Sequence, residues 1–368
     1  MGKKLTTQKY ENYWKLTVEY SNINGSRFNN TLEAIVDFID ETAEELEKEY
    51  NPIFYKQLTS IIYDLYPKAD KGSTRKSINQ MVKLGFINPK LKGYHPLTKN
   101  FLKSETTKER ELIFSEILYK NANFQSSVTR DNSSIKQINF FLKTLMYHPK
   151  QRLGKEEIIA LMSTDISQYK HGRLSFSELE TQVKIMKIKK FRDRKYNQIN
   201  YFFKFLKYIP GISVARDQSY VQYTEDASVI LAENIDVRRD PTMFRIMREN
   251  IKQESKKIYG DVVCYFTKRP QKNLVVSHIV RSSDALRNLD VETAYDYRNA
   301  LLLEPNTDAY YDKFDISFLK NGSPVFGNEV PNSFVEEKKE LKLDSIILTG
   351  REGYLERHLK KFREKNEI

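Results

Sequence analysis

The stretch Leu274–Phe318, LVVSHIVRSSDALRNLDVETAYDYRNALLLEPNTDAYYDKFDISF, decides how the C-terminal part of this chain is read. Leu274, Val275 and Val276 are β-prone and lead directly into Ser277 and His278, which places an imidazole at the end of a strand. A long polar loop follows. Asn299 then opens Ala300, Leu301, Leu302 and Leu303, a second buried strand. Pro305 and Asn306 break it before a short helix that carries Asp308. The order is β, β, α, with one candidate base on the first strand and one candidate metal ligand on the helix.

Working upstream, Pro241 can open a helix running to Tyr259, Gly260 can cap it, and Val262 to Phe266 reads as a strand. Further back, Leu32, Ile35, Val36, Ile39 and Leu46 recur at mostly helical spacing, a support helix with an acidic outer face. Ile53 to Tyr66 is a second helix, closed by Pro67. Ser73 or Thr74 can cap a third that reaches Leu84, with Ile78, Met81 and Val82 inward and Gly85 at its end. Phe86 and Ile87 then begin a strand, Lys90 to Gly93 makes a basic turn, and Tyr94 to Leu97 returns. Helix, turn, helix and basic hairpin resemble a winged helix, whose recognition helix lies in the major groove. On that reading Arg75, Lys76, Asn79, Gln80 and Lys83 face outward, donors and amides suited to guanine and adenine edges.

The polar run around Asn121 to Ser134 reads as a boundary. After it come two helices joined by a turn at Pro149 to Gly154, the second starting at Lys155. A helix from Asn197 to Tyr208, hairpin strands Ile212 to Ala215 and Tyr220 to Tyr223, and a closing helix make a second winged-helix-like unit. The basic run KIMKIKKFRDRK, with Lys189, Lys190 and Arg192, is read as riding on phosphates, or as a solvated helix face.

With 61 Lys and Arg against 49 acidic residues the chain carries a formal charge of +12. Such a balance favours a polyanion, most economically nucleic acid, because each phosphate neutralised releases condensed counterions. The one cysteine, Cys264, excludes a disulfide framework and a cysteine-rich zinc site within a single chain. No apolar run is long enough for a membrane span and the segment MGKKLTTQKYENYW has no apolar signal core, so a cytoplasmic, membrane-free protein is expected.

From Phe244 to Gly327 the motifs IYGDVVCYFT, VVSHIVRSSDA and NALLLEPNTDAYYDKFDISF stand in an order that resembles the HNH, or ββα-metal, endonuclease family, in particular its bacterial restriction endonuclease branch. The resemblance implies His278 as general base, Asn299 as the residue that fixes the imidazole and its loop, and Asp308 as metal ligand. It implies Mg²⁺, with Mn²⁺ able to substitute, and no zinc. Departures fall at the metal: many relatives place an acidic residue before the base histidine, where this chain has Ser277. Asp284, Asp296, Asn306 or Asp312 are the candidates to complete the shell, Asn306 and Asp284 first among them. The usual glycine after the asparagine is Ala300, and a typical Phe-Asp pair is Tyr311 and Asp312. The remaining histidines, His95, His148, His171 and His358, read as structural.

The fold class expected is α+β and multidomain, a mainly helical N-terminal part with winged-helix-like modules ahead of a ββα-metal domain. Residues 1–120 and 121–235 are assigned to DNA recognition and 236–368 to cleavage, with Arg281 a further DNA contact. The function this implies is a type II, site-specific deoxyribonuclease, of type IIS arrangement by analogy, acting on double-stranded DNA as a homodimer. Two alternatives stand beside it: a DNA-binding regulator with a degenerate nuclease domain, and a modification-dependent endonuclease.

Overall fold

The computed structural model describes residues 14–16, 18–43, 50–68, 71–132, 134, 136–188, 191–223, 240–287 and 290–367. Packing divides the chain into two units, residues 1–228 and 229–368. The first is built on helices α1 (Ser26–Glu41), α2 (Pro52–Leu65), α3 (Lys71–Leu84), α4 (Thr98–Lys103), α5 (Thr107–Asn121) and α6 (Gln137–Tyr147). Pro52 sits in the first turn of α2, where its missing N–H costs nothing, and the Asn51 side chain accepts from Ile53 N. Gly85 stops α3 at φ +91°, and a Cβ there would stand 2.7 Å from the Asn121 backbone, so the turn into the next segment needs glycine. The expected hairpin beyond it shrinks to one bridge, Ile87 with Tyr94, around a 3₁₀ turn at Pro89–Leu91.

Strand β1 (Arg152–Gly154) follows, then α7 (Lys155–Met162), α8 (Phe176–Ile188), α9 (Phe191–Leu206), β2 (Ile212–Val214) and β3 (Tyr220–Tyr223). The strands form an antiparallel sheet in the order β1-β3-β2, with Leu153 and Val214 both opposite Val221. Sequence alone reads Pro149 to Gly154 as a turn. Its three-residue strand holds one buried side chain, Leu153, too short a pattern to show alternation. The helix expected after Tyr223 lies outside the described residues. An aromatic core runs through this unit: Phe28 and Phe101 meet Phe86, Phe86 meets Phe114, and Phe114 meets Phe205 and Tyr208 of the later segment. Residues assigned from sequence to two domains share this packing.

The second unit starts with α10 (Pro241–Tyr259), whose Asp240 caps two backbone N–H groups and whose end at Gly260 is left-handed, φ 79°. Then come β4 (Val275–His278), α11 (Ser282–Arg287), α12 (Val291–Tyr295), β5 (Ala300–Leu303), α13 (Pro305–Tyr311), β6 (Ile316–Phe318), β7 (Pro324–Phe326), α14 (Asn332–Lys338), α15 (Ser345–Leu348) and α16 (Glu352–Asn366). Every residue of β5 is buried, which is why it reads as an unbroken apolar run rather than an alternation. Val262 to Phe266 is not a strand. It bridges only at Val263 with Pro270, and Tyr265 N donates to Leu302 O, so the segment lies along β5 through a turn.

Arg351, fully buried, ties the end of this unit to its centre. It donates to both carboxylate oxygens of Glu254 at 3.1 and 2.6 Å, to Ala300 O at 3.0 Å and to Ile347 O at 3.0 Å. Each buried donor named has an acceptor, the condition under which a buried charge is tolerated. No helix among the described residues is long and apolar enough to cross a membrane.

Candidate active site

Strands β4 and β5 pair antiparallel with His278 opposite Ala300 and Ser277 opposite Leu301. α13 packs on β4. Adjacent side chains of a strand point to opposite sides, and here the two neighbours part accordingly. Ser277 is buried and meets Asp308 of α13, while the His278 ring stacks on Phe244 of α10 at 6.0 Å and 19°. The side chain that touches the helical carboxylate is therefore the serine, and the imidazole is set beside it at the strand end.

Asn299 is fully buried and every bond it makes goes to backbone. Its Oδ1 accepts from Val280 N at 2.8 Å, and its Nδ2 donates to Val280 O at 2.8 Å and to Thr293 O at 2.9 Å. It fixes the chain just past His278, holding Val280 from both sides. A side-chain amide can satisfy an N–H and a C=O of one residue at once, as a strand would, and this explains asparagine at that point.

Burial raises the Asp308 carboxyl above the usual aspartate range, and the negative charge of Asp312 one helical turn later adds to the effect. The Ser277 hydroxyl works against it. Ser277 Oγ lies close to that carboxyl, buried, without reaching the geometry of a formed hydrogen bond. A carboxylate and a hydroxyl brought together in this way are oxygen donors of the kind that a hard divalent cation takes. Among the described residues no three His, Cys, Asp or Glu side chains converge on one point, so the protein offers a thin shell.

The four further candidate ligands are engaged or turned elsewhere. Asn306 is exposed and lies two residues from Asp308, about 200° around the helix, so it points away. Asp284 forms an ion pair with Lys361 of α16 at 2.7 Å. Asp296 caps the turn before Asn299 and accepts from Tyr354 Oη at 3.0 Å. Asp312 is exposed, and its carboxylate lies 3.5 Å from Arg281 Nε while its carbonyl accepts from the same guanidinium.

The remaining histidine of this region, His358, is buried against Tyr311, rings stacked at 3.8 Å. Burial lowers it to about 4, so it is neutral; Nε2 donates to Tyr311 O and Nδ1 accepts from Ser317 Oγ. It is a core residue, as sequence predicts. Cys264 is likewise buried and receives the Thr267 N–H.

In the first unit α3 departs from the reading as a recognition helix. Arg75 and Lys76 are exposed at its start. Gln80 is fully buried, its Oε1 accepting from Glu19 N and Tyr20 N and its Nε2 donating to Tyr20 O. Lys83 is also buried and donates to Phe124 O and Ser126 O at 2.9 and 3.0 Å; burial lowers its amine to about 7. Asn79 donates to Tyr55 Oη and accepts from Val128 N. The outward face expected for these three is corrected: Gln80 is taken up by residues 19 and 20, and Asn79 and Lys83 by residues 124–128, segments that tertiary packing brings against the helix. Lys189 and Lys190 lie outside the described residues; Arg192 falls within α9. Arg281 is partly exposed at the start of the loop after His278.

Residues 262–319 match the model of a family described as HNH endonuclease. That interval runs from the turn along β5 through β4, α11, α12, β5 and α13 to β6, the same elements that carry His278, Asn299 and Asp308. No match to a curated protein was found for the chain.

Proposed function

We propose that this protein is a sequence-specific type II restriction endonuclease that hydrolyses DNA phosphodiester bonds with His278 as general base. The observation that carries it is the match over 262–319 falling on a β, β, α arrangement in which a histidine ends the first strand and its neighbour Ser277 meets the carboxylate of the helix. A phosphodiester is anionic and weakly electrophilic, so an attacking water must lose a proton as it adds. The His278 imidazole, at the end of β4, takes that proton. Asn299 holds the backbone beyond it, which fixes where the ring is presented. Asp308 and Ser277 would hold Mg²⁺, or Mn²⁺ in its place, and the bound cation would neutralise charge developing on the phosphate oxygens. Water and the phosphate itself supply the rest of a thin protein shell.

Recognition is assigned to the segment before residue 236, read as domains 1–120 and 121–235, and cleavage to 236–368. The sheet order β1-β3-β2 after α6, β1, α7, α8 and α9 supports a winged-helix reading of the second of these. Arg75 and Lys76 of the first and the run around Lys189, Lys190 and Arg192 of the second are the candidate phosphate contacts. Separate recognition and cleavage parts favour cutting beside the target, and cutting both strands calls for a homodimer or sequential nicks.

The test is incubation of the full chain with plasmids of varied sequence and Mg²⁺. Discrete fragments are expected from the parent, and none from His278→Ala. Unaltered DNA across Mg²⁺ and Mn²⁺, or cutting by His278→Ala at the parental rate, overturns the assignment.

A further inference from the structure

At the far end of α13 from Asp308's partner Ser277, Phe314 holds an unusual backbone. Its φ is 60°, the left-handed region that a bulky aromatic residue rarely enters. That turn aims the ring between two elements. The Arg281 guanidinium, from the loop after His278, lies 4.9 Å from the ring centroid, and the Lys361 ammonium, from α16, lies 5.5 Å from it. Each is nearly half exposed, at 41% and 45%. Both charges also bear on His358 beneath the ring and help hold it neutral, so their fields overlap at one place.

Both cations face side-chain carboxylates near the surface of the free protein. Arg281 donates to the Asp312 carbonyl, while its Nε is shielded from solvent without a formed hydrogen bond, 3.5 Å from the exposed Asp312 carboxylate. Lys361 pairs with Asp284 at 2.7 Å, again at the surface. Exposed ion pairs of this kind are worth about 0–1 kcal/mol. A guanidinium meeting a phosphate gains charge-assisted, two-pronged hydrogen bonds of greater strength. A phosphate therefore competes with the Asp312 and Asp284 carboxylates for these cations, and the aromatic ring keeps the two cations placed while it does.

We propose that Arg281 and Lys361, seated on Phe314, form a clamp for a backbone phosphate of DNA close to the bond that is cut. Arg281 follows His278 by three residues, a span of at most about 11 Å, so the clamped phosphate lies within a few nucleotides of the base. The clamp rests on the nuclease reading for its relation to the cut, but not for its affinity for a phosphodiester backbone.

Binding and cutting are therefore measured separately. In the full-length His278→Ala background, fluorescence anisotropy with a labelled duplex is followed over a series of KCl concentrations, without divalent metal. Arg281→Ala with Lys361→Ala lowers the slope of log affinity against log salt by about 1 to 2, the loss of one or two phosphate contacts. The exchange Arg281→Lys with Lys361→Arg keeps the parental slope. Should the double alanine variant melt early, Lys361→Ala alone, lowering the slope by about 1, serves in its place. An unchanged slope in a folded alanine variant overturns the clamp even if the parent cuts plasmid. A lowered slope in a protein whose parent never cuts keeps the clamp and sinks the nuclease reading instead.

Discussion

Helix α3 and the β, β, α segment contain the same kinds of polar side chain, yet packing uses them in different ways. In α3, Asn79, Gln80 and Lys83 have the composition of a base-reading surface, and their hydrogen bonds are spent on Val128, Tyr20, Phe124 and Ser126 of the same chain. In the β, β, α segment Asn299 also turns inward, but the backbone it holds is the one that presents His278. A polar residue on a helix says that it needs partners. It does not say whether they come from a ligand or from a loop folded over it.

Several substitutions break or sharpen this contrast. The largest effect is expected at His278. Replacement by alanine removes the base and lowers the nicking rate by about 10²–10⁴-fold, read from supercoiled plasmid conversion. Asn299→Ala comes next, because it strands a buried N–H and two carbonyl groups. A loss of about 3 kcal/mol in denaturant unfolding is expected, together with slower nicking. A variant of full stability that nicks slowly would show that Asn299 acts on the chemistry and not through the backbone.

The pH dependence of stability separates the buried His358 from the site. Its pKa in the fold, about 4, is below the ordinary 6.5, so the unfolded chain takes up the proton first. Its stabilising neutral form is complete above about pH 6.5, and stability falls as pH drops from there towards 4, by on the order of 3 kcal/mol. Thermal melts of the parent and of His358→Phe across that window should converge at acid pH. Parallel curves would remove His358 as the titrating group.

In the first unit, Gln80→Ala is expected to cost about 2 kcal/mol of stability while leaving the salt dependence of DNA binding unchanged. A lowered slope with no loss of stability would restore α3 as a reading helix. The smallest effect is expected for Arg75→Ala with Lys76→Ala. Stability should stay within about 0.5 kcal/mol, while the salt slope of DNA binding falls by about 1 for each phosphate contact removed.

Most of the second unit's path was legible because its signals are local. Val275 to His278, Ala300 to Leu303 and the helix opened by Pro305 occupy the positions that their residues predict. The helix from Pro241 to a left-handed Gly260 does so too. β1, β6 and β7 escaped because strands of three residues contain less than two periods of alternation. The burial of Gln80 and Lys83 escaped for a different reason. Their partners are 60 residues before and 41 and 43 residues after them, and no periodicity within α3 contains that information.

By itself, then, the sequence determined which residues form the β, β, α unit and which of them have acid, base and amide chemistry, since propensity, proline breaks and side-chain identity act over a few neighbours. Tertiary structure alone decided what each group faces. It put Ser277 on Asp308, tied Asp284 to Lys361, turned Asn306 outward and gathered Arg281 and Lys361 on Phe314. Those contacts join elements far apart in the chain, and packing of the shared core is what fixes their approach.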